Sequence, residues 1–544
     1  MTAATGPPWW QRAVIYQVYP RSFQDDSGDG VGDLAGITRR LSYLRDLGVD
    51  AVWLSPIFRS PMRDFGYDIC DYGDVDPLFG TLADLDVLIA AAHGLGLKVL
   101  LDFVPNHTSD LHPWFCDSRA SPESPKRDWY IWRDPAPDGG PPNNWLSEFG
   151  GTAWELDPAT GQYYYHAFLA AQPDLNWRNP QVVGAMHDVM RFWLRRGVDG
   201  FRVDVMWHLM KDDRFRDNPE NPAYRGGMPP HRRLLPLYSA DVDGVHDVVA
   251  GLRRVVDEFD DRLLIGEIYL PIERLVAYYG EALGGAHLPF NFALLEAAWR
   301  APEIARLVAA YEAALPSGGW PNWVLGNHDR PRVATRVGRA QARVAAMLLL
   351  TLRGTPTLYY GDEIGMEQVK IPPDRVRDPW EKNLPGFGLG RDGARTPMQW
   401  DAGRFAGFST VEPWLPLSPD AAAVNVDVAS ADPGSLYNLY VRLIRTRREN
   451  AALQLGTLDA IAARGDVLLF IRVLGRSRIL VALNLGAAPA DLAVAGARGN
   501  VLLACRAGRE GETIDGRIGL APADGLVIEL APDSQVPVGT SAGG

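Results

Sequence analysis

The sequence predicts an α/β protein: a closed (β/α)8 TIM barrel with an inserted subdomain after strand three and a C-terminal antiparallel β domain. Three observations predict it. Short, almost continuously apolar runs alternate with amphipathic stretches from residue 13 to residue 363, the order of a parallel sheet covered by helices. The strand candidates number eight, which closes a barrel. Beyond the helical stretch 436–450 the pattern turns to short strands separated by turn residues, as in an antiparallel domain.

The elements follow in order. "AVIYQVYP" (13–20) is strand one. "ITRRLSYLRDLG" (37–48) sets Ile37, Leu41, Leu44 and Leu47 at helical spacing and stops at Gly48. "VDAVWLSP" (49–56) is strand two, "LADLDVLIAAAHGLG" (82–96) a helix, and "LKVLLDFVPNH" (97–107) strand three. There the rhythm breaks. A stretch rich in Pro, Gly, Trp and Tyr follows, and its one helix, "VVGAMHDVMRFWLRRG" (182–197), comes at the end. A structureless loop of that length is uncommon, so an inserted subdomain is expected at 107–175. The alternation resumes with "GVDGFRVDV" (197–205), "RLLIGEIYL" (262–270), "HLPFNFALL" (287–295), "PNWVLGNHD" (321–329) and "GTPTLYYGDE" (354–363). The barrel is thus expected at 1–106 and 176–456, and a β-sandwich at 457–544. The end, "SQVPVGTSAGG", reads as a loose tail.

Composition narrows the function. The chain has 544 residues, 47% of them apolar and 22% charged, with a formal net charge of -13. That charge argues against nucleic acid and anionic membranes as partners and suits a neutral or cationic ligand. Three cysteines, Cys70, Cys116 and Cys505, are too few and too scattered for a disulfide framework or a zinc site. The start, "MTAATGPPWWQRAVIYQ", lacks the basic-then-apolar plan of a signal peptide. The apolar run "AAMLLL" is far too short to span a bilayer. The expectation is a soluble, cytoplasmic protein whose oligomeric state the sequence does not show.

Barrels of this kind carry function at the C-terminal ends of their strands. Strand three ends in Asn106 and His107, and strand four carries Arg202 and Asp204, with His208 just beyond. Strand five ends at Glu267, and strand seven in Asn327, His328 and Asp329. Taken singly, each has a bland reading: a structural ion pair, a turn, a helix cap or a satisfied core histidine. Taken together, three carboxylates from three strands converge on one face, where a core has no use for them. Without clustered Cys or several His they do not make a catalytic zinc centre; a Mg²⁺ site is the weaker alternative. Paired carboxylates among aromatics and His suit glycoside hydrolysis, one attacking the anomeric carbon and the other protonating the leaving oxygen. Arg202, two residues from Asp204 on the same strand face, is expected to hold the nucleophile charged.

These residues resemble glycoside hydrolase family 13, the α-amylase family. The matching motifs are "DFVPNH" (102–107), "GFRVDV" (200–205), "GEIY" (266–269) and "VLGNHD" (324–329), in the family's order. "GVDAVWLSP" and "GTPTLYYGDEIG" match two more segments. "QPDLNW" (172–177), "SPMRDFGYDICDY" (60–72) and "RTPMQWD" (395–401) resemble its α-glucosidase and oligo-1,6-glucosidase branch, with bacterial α-glucosidases of the Thermus–Deinococcus kind as the nearest resemblance. The resemblance covers nearly the whole chain. It implies Asp204 as nucleophile, Glu267 as general acid/base and Asp329 as stabiliser of the oxocarbenium-like transition state. It implies that His107, His328 and Arg202 bind the same sugar ring and that Tyr67 stacks on it. Asp64 paired with Arg395, or in the alternative Arg391, would cap the non-reducing end and make the enzyme exo-acting. Phe168 and Gln172 would line the site from the inserted subdomain.

No cofactor is implied for catalysis. In the resembling enzymes the loop "DDSGDGVGD" (25–33) binds a structural Ca²⁺ or Mg²⁺, here through Asp25, Ser27, Asp29, the Val31 carbonyl and Asp33. Ser27 stands where Asn is usual, and an acidic surface turn is the competing reading. Val205, after the nucleophile, is the residue type of α-1,6-preferring relatives, whereas "MWHLMKDDRFRDNPENP" (206–222) resembles broader α-glucosidases. The expected substrate is a short α-glucoside of the maltose or isomaltose type, with linkage open. A glucosyltransferase or sugar isomerase of the same family is the alternative, though the "RLDNR" text of sucrose isomerases is missing. A non-catalytic, transporter-associated member would lack the triad and carry a membrane segment, unlike this chain.

Overall fold

The computed structural model describes residues 6–534 and 536. Of the expected tail, all but Ser534 and Val536 lies outside the described residues. Eight parallel strands form one sheet: β1 (Ile15–Val18), β2 (Ala51–Leu54), β3 (Lys98–Phe103), β4 (Gly200–Val203), β5 (Leu263–Gly266), β6 (Leu288–Pro289), β7 (Asn322–Val324) and β8 (Thr355–Tyr359). Their order is β6-β5-β4-β3-β2-β1-β8-β7. A parallel bridge between Asn291, just past β6, and Trp323 in β7 closes the ring. The expected TIM barrel is the observed fold.

Successive residues on each strand face opposite ways. Ile15, Trp53, Leu100 and Ile265 belong to one apolar cluster, which fills the barrel. Tyr16, Val52, Leu101 and Phe201 belong to another, shared with Leu41, Leu44 and Leu88 of the surrounding helices. Those helices begin and end where local chemistry directs. Helix Leu34–Leu47 is capped by the Asp33 carboxylate on the Gly36 N–H and stops at Gly48, whose φ of 98° suits glycine. Helix Leu82–Gly94 opens with a reciprocal Thr81–Asp84 capping box.

One glycine sets the spacing beneath the site. A Cβ on Gly200 would lie 2.1 Å from the Leu263 carbonyl oxygen. Glycine there lets β4 and β5 pair, with Val203 opposite Gly266. Asp204 and Glu267 therefore leave neighbouring strands at the same level.

The chain between β3 and β4 contains a helix, Pro113–Ala120, and a three-stranded antiparallel sheet of Trp132–Arg133, Tyr163–Tyr165 and Trp154–Leu156. An aromatic cluster with Trp145, Trp154 and Tyr165 holds it together. Antiparallel bridges from His107 to Asp174 and from Tyr130 to Leu175 tie its two ends at the mouth of the barrel. The C-terminal strands β9 (Thr457–Arg464), β10 (Val467–Leu474), β11 (Ser477–Asn484), β12 (Ala490–Ala504), β13 (Thr513–Leu520) and β14 (Asp524–Leu530) pair antiparallel in the order β9-β10-β11-β14-β12-β13. They form one continuous hydrogen-bonded sheet in the segment expected to be a β-sandwich. Register shifts between Ala493 and Arg498 and between Val501 and Leu503 interrupt the long β12 and bend it. One face, with Leu468, Phe470 and Val481, joins the barrel core, and the other, with Leu469, Leu480 and Ile528, carries its own cluster. No helix among the described residues is long and apolar enough to cross a membrane.

Candidate active site

A cavity of about 680 Å³ opens at the carboxyl ends of the strands, lined among others by Asp204, Glu267 and Asp329. The three carboxylates predicted from three strand ends do come together. Tyr67, His107, Phe168, His328, Asp64 and Arg391 line the same cavity. Arg202, Gln172 and Arg395 stand behind that surface, each fully buried.

Arg202 is the hub of the floor. One of its terminal nitrogens donates to Asp102 Oδ1 at 2.7 Å and Asp204 Oδ1 at 2.8 Å. The other pairs with Glu267 Oε2 at 2.7 Å. The two terminal nitrogens of one planar guanidinium thus fix nucleophile and acid/base candidates side by side. Glu267 Oε2 also accepts the Val205 N–H at 2.8 Å. That donor is aimed by unusual backbone: Val205 has φ 35° and ψ 47°, a left-handed conformation that costs a β-branched residue about 1–3 kcal/mol.

Asp102 was not foreseen as a site residue. It lies in "DFVPNH" but reads there as a strand residue, and only the register shows it opposite Arg202. It also accepts the Tyr67 hydroxyl at 3.0 Å. Tyr67 stacks on His328, with ring centroids 5.5 Å apart and planes 2° from parallel. The Gln17 amide nitrogen lies 2.8 Å from His328 Nδ1, so the proton on Nε2 goes to the Tyr67 oxygen, 2.7 Å away, and the Tyr67 proton to Asp102. Burial keeps His328 well below its ordinary pKa, hence neutral. His107 is likewise neutral, pushed down to about 4 by burial. Phe168 packs 5.2 Å from its ring, and the Gln172 amide bridges His107 Nε2 at 3.2 Å to Asp64 Oδ2 at 3.3 Å.

The carboxylates differ in charge preference. Burial, reinforced by the adjacent Glu267, pushes Asp204 well above the usual carboxylate range, and Arg202 only partly opposes this. Arg202 does favour the charged form of Asp204, as expected of it, but one guanidinium serves three buried carboxylates, and close like charges favour keeping a proton. Asp329 goes the other way. Burial would raise it, but its neighbours His328, Arg391 and Arg395, in that order, bring it below the usual range; the arginines stand 3.4 and 2.9 Å away.

The end of the cavity shows a correction. Arg391, not Arg395, pairs with Asp64, at 2.7 Å. Arg395 instead donates to the His328 carbonyl at 2.8 Å and to Asp329. The two arginines flank a short 3₁₀ turn, Asp392–Ala394, so spacing alone does not tell which one faces inward.

The expected metal loop makes an internal hydrogen-bond network. Asp25 accepts the N–H groups of Gly28 and Gly30 and the hydroxyls of Ser27 and Ser409. Asp33 accepts the N–H groups of Asp26, Ser27 and Gly36, and Asp29 that of Val31. Among the described residues no group of three or more His, Cys, Asp or Glu is arranged to hold a metal ion.

Comparison with known proteins gives the class. The alpha-amylase catalytic-domain model matches residues 17–456, and the chain belongs to that family. More particularly, it is 43% identical over 494 residues to a probable alpha-glucosidase of Rhizobium meliloti, covering 88% of this chain and 89% of that one. It is 38% identical to the oligo-1,6-glucosidase of Parageobacillus thermoglucosidasius, covering 88% and 90%. Among solved structures, the alpha-glucosyl transfer enzyme XgtA superposes with a TM-score of 0.92 at 41% identity, covering 97% of this chain and 100% of that one. The isomaltulose synthase SmuA from Protaminobacter rubrum does so with 0.88 at 31%, covering 97% and 100%.

Proposed function

We propose that this chain is a retaining, exo-acting α-glucosidase that releases glucose from the non-reducing end of short α-glucosides. The observation that carries the reading is the pair Asp204 and Glu267, held by one buried guanidinium on the floor of a cavity closed at one end by Asp64–Arg391. Asp204 attacks the anomeric carbon while Glu267 donates its proton to the leaving oxygen. A covalent glucosyl–Asp204 intermediate forms. Glu267, now the base, activates the water that hydrolyses it. Asp329, ionised beside Arg395, stabilises the positive charge that develops on the ring. His107, His328 and Tyr67 surround the same sugar, Phe168 walls it, and Arg391 with Asp64 takes its far hydroxyls.

The reaction uses no cofactor, and its partner is a short neutral oligosaccharide. The nearness to Thermus–Deinococcus enzymes rests on motif text. A second reading has its own support, the likeness to a glucosyl transfer enzyme: an acceptor sugar replaces water at the second step. Proton NMR of the first product separates retention from inversion, and mass spectrometry of denatured, fluoroglucoside-quenched enzyme locates the adduct. Initial release of β-glucose, or an adduct elsewhere than Asp204, overturns the assignment. A panel of glucose disaccharides read for free glucose against new oligosaccharides decides linkage and transfer.

A further inference from the structure

Arg391 is gripped from three sides. Asp64 reaches it from the loop after β2 at 2.7 Å, and Asp329 from the loop after β7 at 3.4 Å. The third partner, Asp378, comes from the loop after β8 and makes the most extensive contact. Its Oδ1 accepts from Arg391 Nη2 at 2.7 Å and Nε at 3.2 Å. Its Oδ2 accepts from Nε at 3.0 Å and from the Arg391 backbone N–H at 2.6 Å. Asp378 is fully buried, and unlike Arg391 it is not part of the cavity lining.

A plainer role for Asp378 is capping. It accepts the Trp380 N–H at 3.1 Å, at the start of helix Pro379–Asn383. A cap needs one oxygen and no charge. Asp378 directs both oxygens at the Nε–Nη2 edge of a guanidinium thirteen positions away. Its own loop is braced in turn: Asp392 Oδ2 accepts the N–H groups of Arg377 and Asp378 at 2.6 and 2.9 Å. The guanidinium is also flanked by Phe149 at 5.4 Å and Trp380 at 5.6 Å. A free arginine has many rotamers, and the ordering cost of a long side chain works against ligand binding unless the protein meets it beforehand.

We propose that Asp378 is a positioning residue for the sugar site: it fixes Arg391 across the closed end of the cavity, so that Arg391 and Asp64 meet the terminal sugar already in place. This rests on the exo-glucosidase reading above. The loop after β8 thereby shapes substrate affinity without touching substrate.

The test is a double-mutant cycle. D378N keeps the shape and removes the charge. Loss of a charge-assisted pair predicts a fall of about 10- to 100-fold in kcat/KM on short α-glucosides, carried mainly by KM. If Asp378 acts through Arg391, D378N/R391A matches R391A within about twofold. A purely structural aspartate would instead lower both backgrounds alike. Wild-type kinetics in D378N, or additive losses in the double variant, overturns the proposal. Should D378N not fold, D378E, which moves the charge by one methylene, takes its place in the same cycle under the same criteria. An aryl maltoside blocked at its non-reducing end tests the underlying reading separately. The wild type leaves it intact if the site is exo-acting, and its cleavage removes that reading whatever the cycle shows.

Discussion

Replacing Arg202 with methionine tests the electrostatics of the floor. The variant deletes one buried positive charge and leaves Asp102, Asp204 and Glu267, each now within 2.7–2.8 Å of that charge, without a counter-ion. A unit charge at contact range is worth about 4 kcal/mol at the effective dielectric that reproduces protein data, or about three powers of ten in ionised nucleophile. Asp102, already pushed up to about 6 by burial despite Arg202, takes up a proton as well and relieves part of the repulsion. The expected loss in kcat/KM at pH 7 is therefore about 100- to 1,000-fold. The direction with pH follows from the same signs. Burial and Glu267 raise Asp204 and Arg202 lowers it, so R202M raises it further, moves the acid limb to higher pH and recovers activity as pH rises. Stability moves the opposite way. The raised carboxylates hold protons that the unfolded chain releases above about pH 4, so the folded state loses ground as pH climbs. Stripping a buried charge cluster of its counter-ion costs about 3–5 kcal/mol, and the deficit is larger at pH 8 than at pH 5. The assays are a pH–rate profile on an aryl α-glucoside and thermal melts at both pH values. An acid limb coincident with wild type, with activity lowered evenly at all pH, refutes the reasoning.

Four further outcomes are expected. D204N loses at least about a thousandfold in turnover because the covalent route is gone, while its melting temperature at pH 7 equals or exceeds wild type; substantial residual hydrolysis in pure protein sinks the nucleophile assignment. R391A and R395A separate: the first raises KM in a folded protein, whereas the second, fully buried against Asp329 and the His328 carbonyl, loses several degrees in melting temperature, and equal behaviour in both assays refutes the division. Asp362, fully buried and pushed up to about 7 chiefly by burial, weakens the fold as pH rises from about 4 through about 7, so D362N gains on wild type in melts across that window, and a pH-independent difference contradicts it. G200A places a methyl 2.1 Å from the Leu263 carbonyl oxygen, and a soluble variant with normal activity disproves the close approach of β4 and β5.

The catalytic carboxylates were legible because strand periodicity decides their direction. A residue one or two positions past a buried parallel strand emerges at the barrel mouth, and Asp204 and Glu267 each immediately follow the last strand residue. The barrel itself was legible for the same reason, since eight apolar runs with helices between them admit few arrangements. What sequence does not encode locally was missed. Arg391 and Arg395 sit on opposite sides of one 3₁₀ turn, and their inward or outward aim is settled by Asp64, more than three hundred residues away. Asp102 was hidden by its own strand, and its partner becomes visible only from the β3–β4 register. Loop 25–33 has the spacing of an oxygen-ligand site, and the spacing alone did not show that its carboxylates also accept the loop's own N–H groups.

The number of arginines that each carboxylate touches differs across one small cavity, and with it the charge each acid prefers. At the floor, one guanidinium faces three carboxylates. It cannot neutralise them all, and the low-dielectric surroundings favour retaining a proton there. At the wall, Asp329 touches two guanidiniums, Arg395 and the Arg391 that it shares with Asp64 and Asp378, and it is held below the usual carboxylate range despite its burial. The proposed retaining reaction would use that division: a proton for the leaving oxygen and, in the same cavity, a fixed negative charge for the ring as it turns cationic. As positive charge grows at the anomeric carbon it supplements Arg202, so Asp204 gains ionisation when it attacks. The acid limb of the wild-type pH–rate profile accordingly belongs to Asp204, and D329N lowers the height of that profile without moving the limb. A limb displaced in D329N by as much as in R202M would place the titrating proton at the wall and undo the division.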